Sequence, residues 1–553
     1  MRKKHLLPEA GWRRRDLALL GGGAATGLLV AGSAGAQPLG SGHQTLPPGI
    51  HRITEDLVIA ADLSLAPGAR IEVAPGRTLT LKGHFSAPVS HIFTGAGWVD
   101  LNHSRTPAAF PEWWGAIAGD GNADCLPAFS ACLAAHPIML LRAADYYLSD
   151  SFVIERPFAR IWGAGYRGAQ DGQGTRLLVK SGTVDVLRVG PARFPGAVND
   201  FLQGVDIRWM ELGRTLPVAP DAAGLRAQYL LHCRFEGLSA RESSIGFAAK
   251  GVVRSYFSDC IAFRSLPGST PGSPYRGFLL GGAEQVGLAG ANGSIFVVDC
   301  NVSIGGAPGV ADSVGLLLEA GFADSFIENF EATGLQTGIR IAGDAGKIGG
   351  MAVAGHSNLH IRMPIIDQCS AVGIELLDLS GHAIVDISDP YVAVAPGARA
   401  AIAAQAAHGA WSIIGGQLIG RSDSNSPGAT GLWVQDSSGL DVTALKLVDF
   451  ASPVHLSRCT GSVLRGQIHN PGKRSDAAAV ALDNCSDTQL DLRISGKTKA
   501  FANGIAVNGQ GSGVLALSVA MIDGDAIAGE KILSNGRSLG SSGRHGAIDV
   551  TGM

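Results

Sequence analysis

The chain has 553 residues, with 44 basic and 47 acidic side chains, so its charge is nearly balanced. Nucleic-acid-binding domains show a basic excess, so we expect no nucleic-acid partner. The length exceeds what one compact core normally holds. Glycine accounts for 77 residues, about twice its usual share, which indicates a chain that turns often.

Residues 1–36 have the pattern of a twin-arginine export signal. Arg13-Arg14-Arg15 precede a glycine- and alanine-rich apolar run that ends near Ala31, and Ala34-Gly35-Ala36 supplies an A-x-A cleavage site. The apolar run, about 15 residues long, is too short to span a membrane. We therefore expect a periplasmic or secreted mature protein that starts near Gln37, with no membrane span.

Residues 37–109 are predicted to form a small leading β module. Between residues 57 and 82 the apolar positions alternate as they do in strands. Ala66-Pro67-Gly68 and Ala74-Pro75-Gly76 interrupt them as turns.

The segment after residue 110 carries a recognisable motif. Phe110–Ala116 reads F-P-E-W-W-G-A, and Gly119-Asp120-Gly121 follows. Asp124 then caps a short predicted helix, whose apolar face is formed by Leu126, Phe129 and Leu133. His136-Pro137 ends it.

Residues 110–165 resemble the start of the pectate-lyase-like right-handed parallel β-helix superfamily, in which such a helix covers the N-terminal end of the coil stack. The chain departs from that pattern at Asn122–Cys125, where the superfamily usually has a second Asp and a Thr. The resemblance implies a fold and little chemistry, because lyases, hydrolases, epimerases and phage tailspikes share it.

A repeated pattern of small, apolar, any and apolar residue fills most of the remaining chain. Its clear copies begin at Gly315, Gly338, Gly373, Ala401, Gly431, Pro453, Ala479 and Gly504, at separations of 22–35 residues. Looser copies begin at Gly224, Gly246 and Gly277. A period in this range is typical of a solenoid. We predict an all-β, single-stranded right-handed parallel β-helix over residues 110–528, with about eleven or more coils and a C-terminal tail at 529–553.

The third residue of each copy points out of the coil, because alternate residues of a strand face opposite sides. This column includes Arg340, Glu375, Trp433 and His455. An aromatic platform beside charges suits a sugar polymer laid along the coil axis, so we assign these four residues to substrate binding. The alternative is an ordinary solvent-facing column.

A second strand recurs about ten residues later and gives a more polar column. Its members are Glu328, His360, Asp386, Ser412, Asp441, Arg465, Asp491 and Ala516. Glu328 and Asp386 are expected two rungs apart, near the spacing of inverting glycosidases. His360 between them is an alternative base for β-elimination. We take Glu328, His360 and Asp386 as candidate catalytic residues, and a solvated polar ladder as the alternative.

Irregular steps predict insertions in the middle coils, at residues 266–274, 284–293, 305–313, 343–357 and 421–429. Loops on a rigid scaffold are common sites of function. Cys459 and Cys485 are one coil apart and are expected to stack as two thiols or as a disulfide.

The motifs of polygalacturonases, calcium-dependent pectate lyases and alginate epimerases are missing, so no family residue can be carried across, and no metal or cofactor is predicted. Export combined with a β-helix resembles proteins of exopolysaccharide clusters. The first hypothesis is an exported enzyme that cleaves a polysaccharide by hydrolysis or β-elimination. The second is a non-catalytic polysaccharide-binding or assembly scaffold. The oligomeric state stays open, with a trimer conceivable by analogy with tailspikes.

Overall fold

The computed structural model describes residues 42–535, together with 537–538, 543–545 and 548–551. Gaps fall at 167–173, 217, 266–273, 282–291, 306–311, 320, 344–346, 349–350, 353–355, 421–428, 471–475, 498, 510–514, 519–520 and 523. The predicted export signal, most of the predicted insertions and part of the predicted tail lie outside the described residues.

The leading module is itself a short solenoid of three coils. Each coil contributes one strand to each of three parallel three-stranded sheets. The strands are Gln44–Leu46, Gly49–Ile53, Leu57–Ile59, Leu63–Leu65, Ala69–Val73, Thr78–Leu81, Phe85–Ser86, Phe93–Thr94 and Trp98–Asp100. Leu63, Ile71 and Leu79 of the middle coil point inward and are almost fully buried, which is what the alternating pattern predicts.

The main body is a right-handed parallel β-helix whose coils have three sides. Side 1 is a 16-stranded sheet, and sides 2 and 3 together make a 26-stranded sheet. The side 1 strands are Phe152–Ile154, Leu187–Val189, Leu202–Gln203, Ala223–Leu231, Ile245–Val253, Tyr275–Leu280, Ser313–Leu318, Thr337–Ala342, Val372–Leu377, Ala400–Gln405, Thr430–Gln435, Ser452–Ser457, Ala478–Asp483, Asn503–Asn508, Ile532–Ser534 and Arg537–Ser538.

After a side 1 strand the chain crosses side 2 and then side 3. In the middle coils, the side 2 strands are Ser255–Ser258, Ile295–Val298, Phe322–Glu328 and Ser357–Arg362, and the side 3 strands are Ile261–Arg264, Asn301–Ile304, Glu331–Thr333 and Ile365–Cys369. The strands of these two sides start with a pair that precedes the first side 1 strand. They are Ile138–Leu140, Asp145–Leu148, Arg160–Trp162, Arg176–Val179, Asp206–Arg214, Arg234–Arg241, Ser255–Ser258, Ile261–Arg264, Asn292–Gly293, Ile295–Val298, Asn301–Ile304, Phe322–Glu328, Glu331–Thr333, Ser357–Arg362, Ile365–Cys369, Ile384–Ser388, Tyr391–Val394, Ala410–Ile414, Gln417–Ile419, Leu440–Val448, Val463–Asn470, Thr488–Gly496, Leu515–Ser518, Met521–Ile522, Gly543–His545 and Ile548–Thr551. A separate antiparallel pair joins Lys347–Ile348 to Met351–Ala352. Short 3₁₀ turns lie at Pro111–Trp114, Val198–Asp200 and Gly524–Ala526.

The corners of the coils use residues that tolerate the left-handed backbone conformation. Between sides 2 and 3, positive φ angles recur once per coil at Asp259, Asp299, Asn329, Met363 and Asp389. Asp and Asn adopt this conformation more readily than most residues. Corner side chains of adjacent coils also form hydrogen bonds, since Asn329 Nδ2 donates to Asp299 Oδ1 at 2.7 Å. The same corner therefore repeats and keeps the rungs aligned.

Inside the coil, side chains of equivalent positions stack from rung to rung. The rings of Phe235 and Phe257 lie 4.9 Å apart, and those of Phe247 and Phe278 lie 4.7 Å apart, both stacked. All four are fully buried. Burying one such side chain stabilises the fold by about 1.5–3 kcal/mol, so the ladder holds the coil stack together.

The single α-helix of the described residues, α1, spans Leu126–Ala135 and confirms the predicted helix, but its N-cap residue is Cys125 and not Asp124 as predicted. Asp124 Oδ1 accepts the Leu126 N–H at 3.1 Å and the Ser149 N–H at 3.0 Å. Phe129 packs edge-on between the rings of Tyr146 and Phe152. Among the described residues, no helix has the length and apolar character needed to cross a membrane.

The buried Glu112 explains part of the P-E-W motif. Its Oε1 accepts hydrogen bonds from Arg142 Nε at 2.9 Å and from the Tyr146 hydroxyl at 2.7 Å. Burial and the neighbouring Glu112 carboxylate raise the pKa of Tyr146. The motif thus fastens the capping segment to the first coils, which is a structural role.

All eight cysteines are free thiols. Cys459 and Cys485 follow side 1 strands of adjacent rungs, as the repeat predicts, and they contact each other as two thiols.

Candidate functional site

An aromatic stripe runs along the outer surface of side 2. Tyr256, Phe296, Phe326 and His360 are direct partners on four successive rungs. Their ring centroids are 4.6, 5.6 and 4.9 Å apart, with interplanar angles of 10°, 3° and 17°. Tyr256 is 46% exposed, and the other rings are partly exposed. The stripe therefore presents stacked ring edges and faces to solvent over about 15 Å.

The stripe continues into polar side chains on the next rungs. His360 pairs with Asp386, Asp386 with Ser412, and Ser412 with Asp441. His360 Nδ1 lies 3.3 Å from Asp386 Oδ2, and the Ser412 hydroxyl donates to Asp386 Oδ1 at 2.7 Å. Aromatic stacking and polar recognition thus form one continuous column. The prediction that His360, Asp386, Ser412 and Asp441 share a column is confirmed.

The predicted position of Glu328 in this column is wrong. Phe326 is the residue that pairs with His360, whereas Glu328 pairs with Arg362 one outward position further along. Phe326 and Glu328 lie two residues apart and point out of the same face of their strand, so the alternation of side chains along a strand does not distinguish them. The long connection after residue 342 also prevents the number of residues from this strand to the next from being read from the repeat. Within the described part of the chain, no hydrogen bond or ion pair engages the Glu328 carboxylate.

The corrected register changes the expected distance between the Glu328 and Asp386 carboxylates. Two rungs and two residues along the strand separate Glu328 from Asp386, which places their Cα atoms about 12 Å apart. Inverting glycosidases hold their carboxyl groups roughly 6.5–9.5 Å apart. The separation of Glu328 and Asp386 is therefore larger than the spacing that the sequence repeat indicated.

The later part of the predicted column is also displaced. Asp441 pairs with Val463, and Arg465 lies one outward position beyond it. Arg465 pairs with Asp491, but Ala516 pairs with Gln489. The strand Leu440–Val448 contains a register irregularity between Val442 and Leu445, which a fixed period cannot anticipate.

The contacts of His360 define how its imidazole can act. Asn358 Nδ2 donates to Asp324 Oδ1 at 2.7 Å, which turns Asn358 Oδ1 toward His360 Nε2, also at 2.7 Å. With Asp386 near Nδ1, both ring nitrogens face oxygen atoms of neighbouring side chains, and these contacts fix the position of the imidazole.

A cation reinforces the stripe from the neighbouring column. The Arg362 guanidinium lies 5.5 Å from the centroid of the Phe326 ring. Arg362 is exposed and shares the rung with His360. The Arg362 guanidinium and the His360 ring therefore lie together where the aromatic stripe meets Asp386, which suits a polymer that carries hydroxyl or carboxylate groups.

On side 1, the predicted outward column is confirmed over its whole length. Direct partners on successive rungs are Arg226, Ala248, Leu279, Leu317, Arg340, Glu375, Ala403, Trp433, His455, Ala481 and Ala506. The described ends of the long connections at 281–292, 305–312, 343–356 and 420–429 flank strands of this sheet. Each of these four connections therefore begins or ends at a side 1 strand.

Arg340 and Glu375 are held in an ion-pair network. Glu375, with a side chain only 8% exposed, accepts from Arg340 Nε and from Arg399 Nη2, both at 2.7 Å. Arg340 also contacts Asp312, which Arg276 pairs from the preceding rung. Burial disfavours the charge of Asp312, but hydrogen bonds and charge from Arg276 and Arg340 outweigh it and lower the pKa of this carboxyl. These charges are compensated within the protein.

Trp433 and His455 are adjacent at the far end of this column. The Arg399 guanidinium lies 4.9 Å from the centroid of the Trp433 ring. His455 Nε2 lies 2.8 Å from Asp483 Oδ2, and Asn508 Nδ2 donates to the other oxygen of Asp483 at 2.9 Å. This second group of polar and aromatic side chains faces away from side 2, so the structure separates the predicted substrate-binding residues from the predicted catalytic ones.

Tyr256, Phe296 and Phe326 were not predicted as site residues from the sequence. Each is an aromatic residue at an outward position of a strand, between two buried inward residues, on three consecutive coils. That recurrence was the available signal. Within the described ranges, no group of three His, Cys, Asp or Glu side chains is placed to hold a metal ion.

Comparison with known proteins places the fold among parallel β-helices. The tailspike protein of E. coli bacteriophage HK620, in a mutant form in complex with a hexasaccharide, is similar with a TM-score of 0.56 and 12% identity over 76% of each chain. The pre-mature gene product 12 of bacteriophage phi29 is similar with a TM-score of 0.56 and 13% identity over 78% of this chain and 57% of that one. No protein-family model matches the chain, and no curated protein matches it in sequence. At these identities the likeness defines a shared fold.

Proposed function

We propose that the protein binds a polysaccharide along the coil axis on side 2. The observation that carries this proposal is the row of partly exposed rings at Tyr256, Phe296 and Phe326 that runs into His360 and Asp386. Sugar rings have apolar faces that pack on aromatic side chains and hydroxyls that bond to polar groups. A solenoid repeats such contacts along one line, as a linear polymer requires.

The similarity to a tailspike bound to a hexasaccharide supports the choice of ligand, since the two chains share the fold. Function resides in the site rather than in the fold, so the aromatic stripe remains the main argument. We place Trp433 and His455, with Arg340 and Glu375 beneath them in the same column, as secondary contacts on side 1. Their substrate would be a branch or a second segment of the polymer.

We further propose that the protein cleaves its polysaccharide at the end of the stripe. His360 would donate a proton to the leaving glycosidic oxygen once its Nε2 leaves Asn358 Oδ1, because the ring lies at the end of the aromatic stripe where the bound polymer meets polar groups. Asp386 would orient this ring through Nδ1. Glu328, in the adjacent column, would take a proton either from the water that attacks the anomeric carbon as the glycosidic bond breaks, or, in β-elimination, from the carbon beside a uronate carboxylate. Both hydrolysis and β-elimination can use such a proton donor.

The alternative is a non-catalytic binding or assembly scaffold. One observation favours it: both oxygens of Asp386 and both nitrogens of His360 are engaged by neighbouring side chains. A column whose polar groups are all bonded to neighbouring side chains can bind a polysaccharide without catalysing its cleavage. The substrate panel below separates these two proposals.

The test uses a panel of purified polysaccharides that includes the exopolysaccharide of the source cell. New reducing ends indicate cleavage, and added ultraviolet absorbance of unsaturated uronates indicates β-elimination. Cleavage that disappears in Asp386→Asn while binding persists establishes the enzyme. Binding without either product on the whole panel establishes the scaffold, and absence of any binding refutes the proposed function.

Export through the twin-arginine pathway is part of the proposal, and it would place the protein with an extracytoplasmic polymer. The paired arginines and the A-x-A site support it. Replacement of Arg13, Arg14 and Arg15 by Lys is expected to retain the protein in the cytoplasm, as measured by fractionation. Unchanged export of this variant would refute the twin-arginine route.

A further inference from the structure

A separate cleft opens where the third coil of the leading module meets helix α1. Its volume is about 470 Å³. One wall is the segment 93–99, which ends in Trp98 and Val99, and Trp114 and His91 also line the cleft. The other wall consists of small helix residues, Pro127, Ala128, Ala131 and Ala134. The volume falls in the range of roughly 300–1,000 Å³ that is usual for small-ligand sites.

The aromatic groups of the cleft are exposed in an unusual way. Trp98 is 63% exposed although it lies beside a concave surface. Trp114 is anchored from below by Phe93, with ring centroids 4.9 Å apart. Among the described residues, the indole N–H groups of Trp98 and Trp114 have no hydrogen-bond partner. The cleft therefore offers a free aromatic face together with free donors.

The polar groups of the cleft are uncharged. No Asp, Glu, Lys or Arg side chain lines it. His91 Nε2 donates to the carbonyl of Phe93 at 3.0 Å, so Nδ1 is the ring nitrogen that remains for a ligand. A Cβ atom added at Gly115 would lie 3.1 Å from the His91 ring, so the absent side chain leaves room for this ring position. The combination suits a neutral ligand with one apolar face and several hydroxyls.

We infer that this cleft is a second carbohydrate subsite that takes one or two neutral sugar units. A pyranose face would stack on Trp98, with hydroxyls bonded to His91 Nδ1 and an indole N–H. The inference rests on the proposed polysaccharide function for its choice of a sugar, but its residues are separate from side 2. It would hold one end or branch of the polymer on the leading module.

The test is a titration of the full-length exported chain with cellobiose, maltose, lactose and mannobiose. Binding is followed by tryptophan fluorescence and by saturation-transfer NMR. At least one disaccharide is expected to bind, and Trp98→Ala is expected to weaken that binding at least about tenfold. Ala131→Trp, which fills the cleft, is expected to abolish it. Val58→Ala, exposed on the same module away from the cleft, is the matched control and should bind as the wild type does.

The inference is overturned if no disaccharide of the panel binds, or if both Trp98→Ala and Ala131→Trp bind as the wild type does. Its failure can be told from failure of the proposed function. Phe326→Ala should lower binding of the long polysaccharide and leave disaccharide binding unchanged. Disaccharide binding with no effect of Phe326→Ala on the polymer would retain the subsite and refute the assignment of side 2.

Discussion

His360 Nδ1 and Asp386 Oδ2 lie 3.3 Å apart on adjacent rungs, at the point where an aromatic stripe becomes polar. The same imidazole stacks on Phe326 at 4.9 Å, so it belongs to both parts of the column. The relationship links binding and any chemistry to one site on side 2.

Phe326 is expected to contribute directly to polysaccharide binding. Phe326→Ala removes the ring between Phe296 and His360 and should weaken binding about tenfold, equivalent to about 1.4 kcal/mol. Phe326→Tyr keeps a stacking face and should bind nearly as the wild type does. Affinity gel electrophoresis measures both. Val153→Ala, an exposed apolar side chain on side 1, is the control, and equal loss in it would contradict a specific role for Phe326.

Substitution of His360 should separate stacking from proton transfer. His360→Phe preserves the stack on Phe326, so we expect polymer binding to remain and product formation to fall at least about a hundredfold. His360→Ala should lose both. The initial rate and the affinity are measured on the same polymer. Full activity in His360→Phe would exclude this imidazole as the proton donor.

Much of the fold could be predicted from the sequence, because the residues of the repeat and of the corners indicate the local structure. The alternation around Gly338, Gly373 and Gly431 predicted the side 1 strands, and every pairing of that column is as expected. The helix at Leu126–Ala135 followed from Asp124 and the apolar spacing. When the apolar residues of successive coils are separated by short and regular intervals, few strand registers keep all of them inside the coil.

The site was less predictable because register depends on contacts across long connections. A shift of two residues keeps every side chain on its face, so Glu328 and Phe326 were indistinguishable by pattern. The ion pairs of Glu375 with Arg340 and Arg399 also could not be predicted from the repeat alone, because Arg399 lies just before the copy that begins at Ala401 and is not part of the outward column. The stacking of Tyr256, Phe296 and Phe326 likewise emerged only with the coil register.

Glu375 is expected to stabilise the middle coils. Glu375→Ala leaves the charges of Arg340 and Arg399 without their shared partner, and it should lower the free energy of unfolding by about 2 kcal/mol, because both arginines retain some solvent. Urea denaturation followed by circular dichroism measures the change. Glu328→Ala, an outward carboxylate on side 2, is the matched control and should change stability by less than about 0.5 kcal/mol. Equal effects would show that the network adds nothing.

The junction between the leading module and the coil should be sensitive to acid. His136 is buried, accepts the Ile138 N–H at Nδ1 and donates from Nε2 to the Thr106 carbonyl. Burial lowers the pKa of His136 below its ordinary value of 6.5. The unfolded chain therefore takes up the proton first as pH falls, so this contribution to stability is fully present above 6.5 and declines below it.

The check is the free energy of unfolding at about pH 7.5 and about pH 5.5, with His136→Gln as the variant without a titrating group. The wild type should lose more stability between the two conditions than the variant does. An identical loss in both proteins would contradict the assignment to His136.

The measurement that bears most directly on the central claim compares polysaccharide affinity in two variants. One is the triple variant Tyr256→Ala, Phe296→Ala and Phe326→Ala, which removes the stripe on side 2. The other is Trp433→Ala on side 1. With folding verified by circular dichroism, we predict that the triple variant loses at least about a hundredfold in affinity and that Trp433→Ala loses much less. Wild-type affinity in the triple variant, or loss confined to Trp433→Ala, would contradict the account.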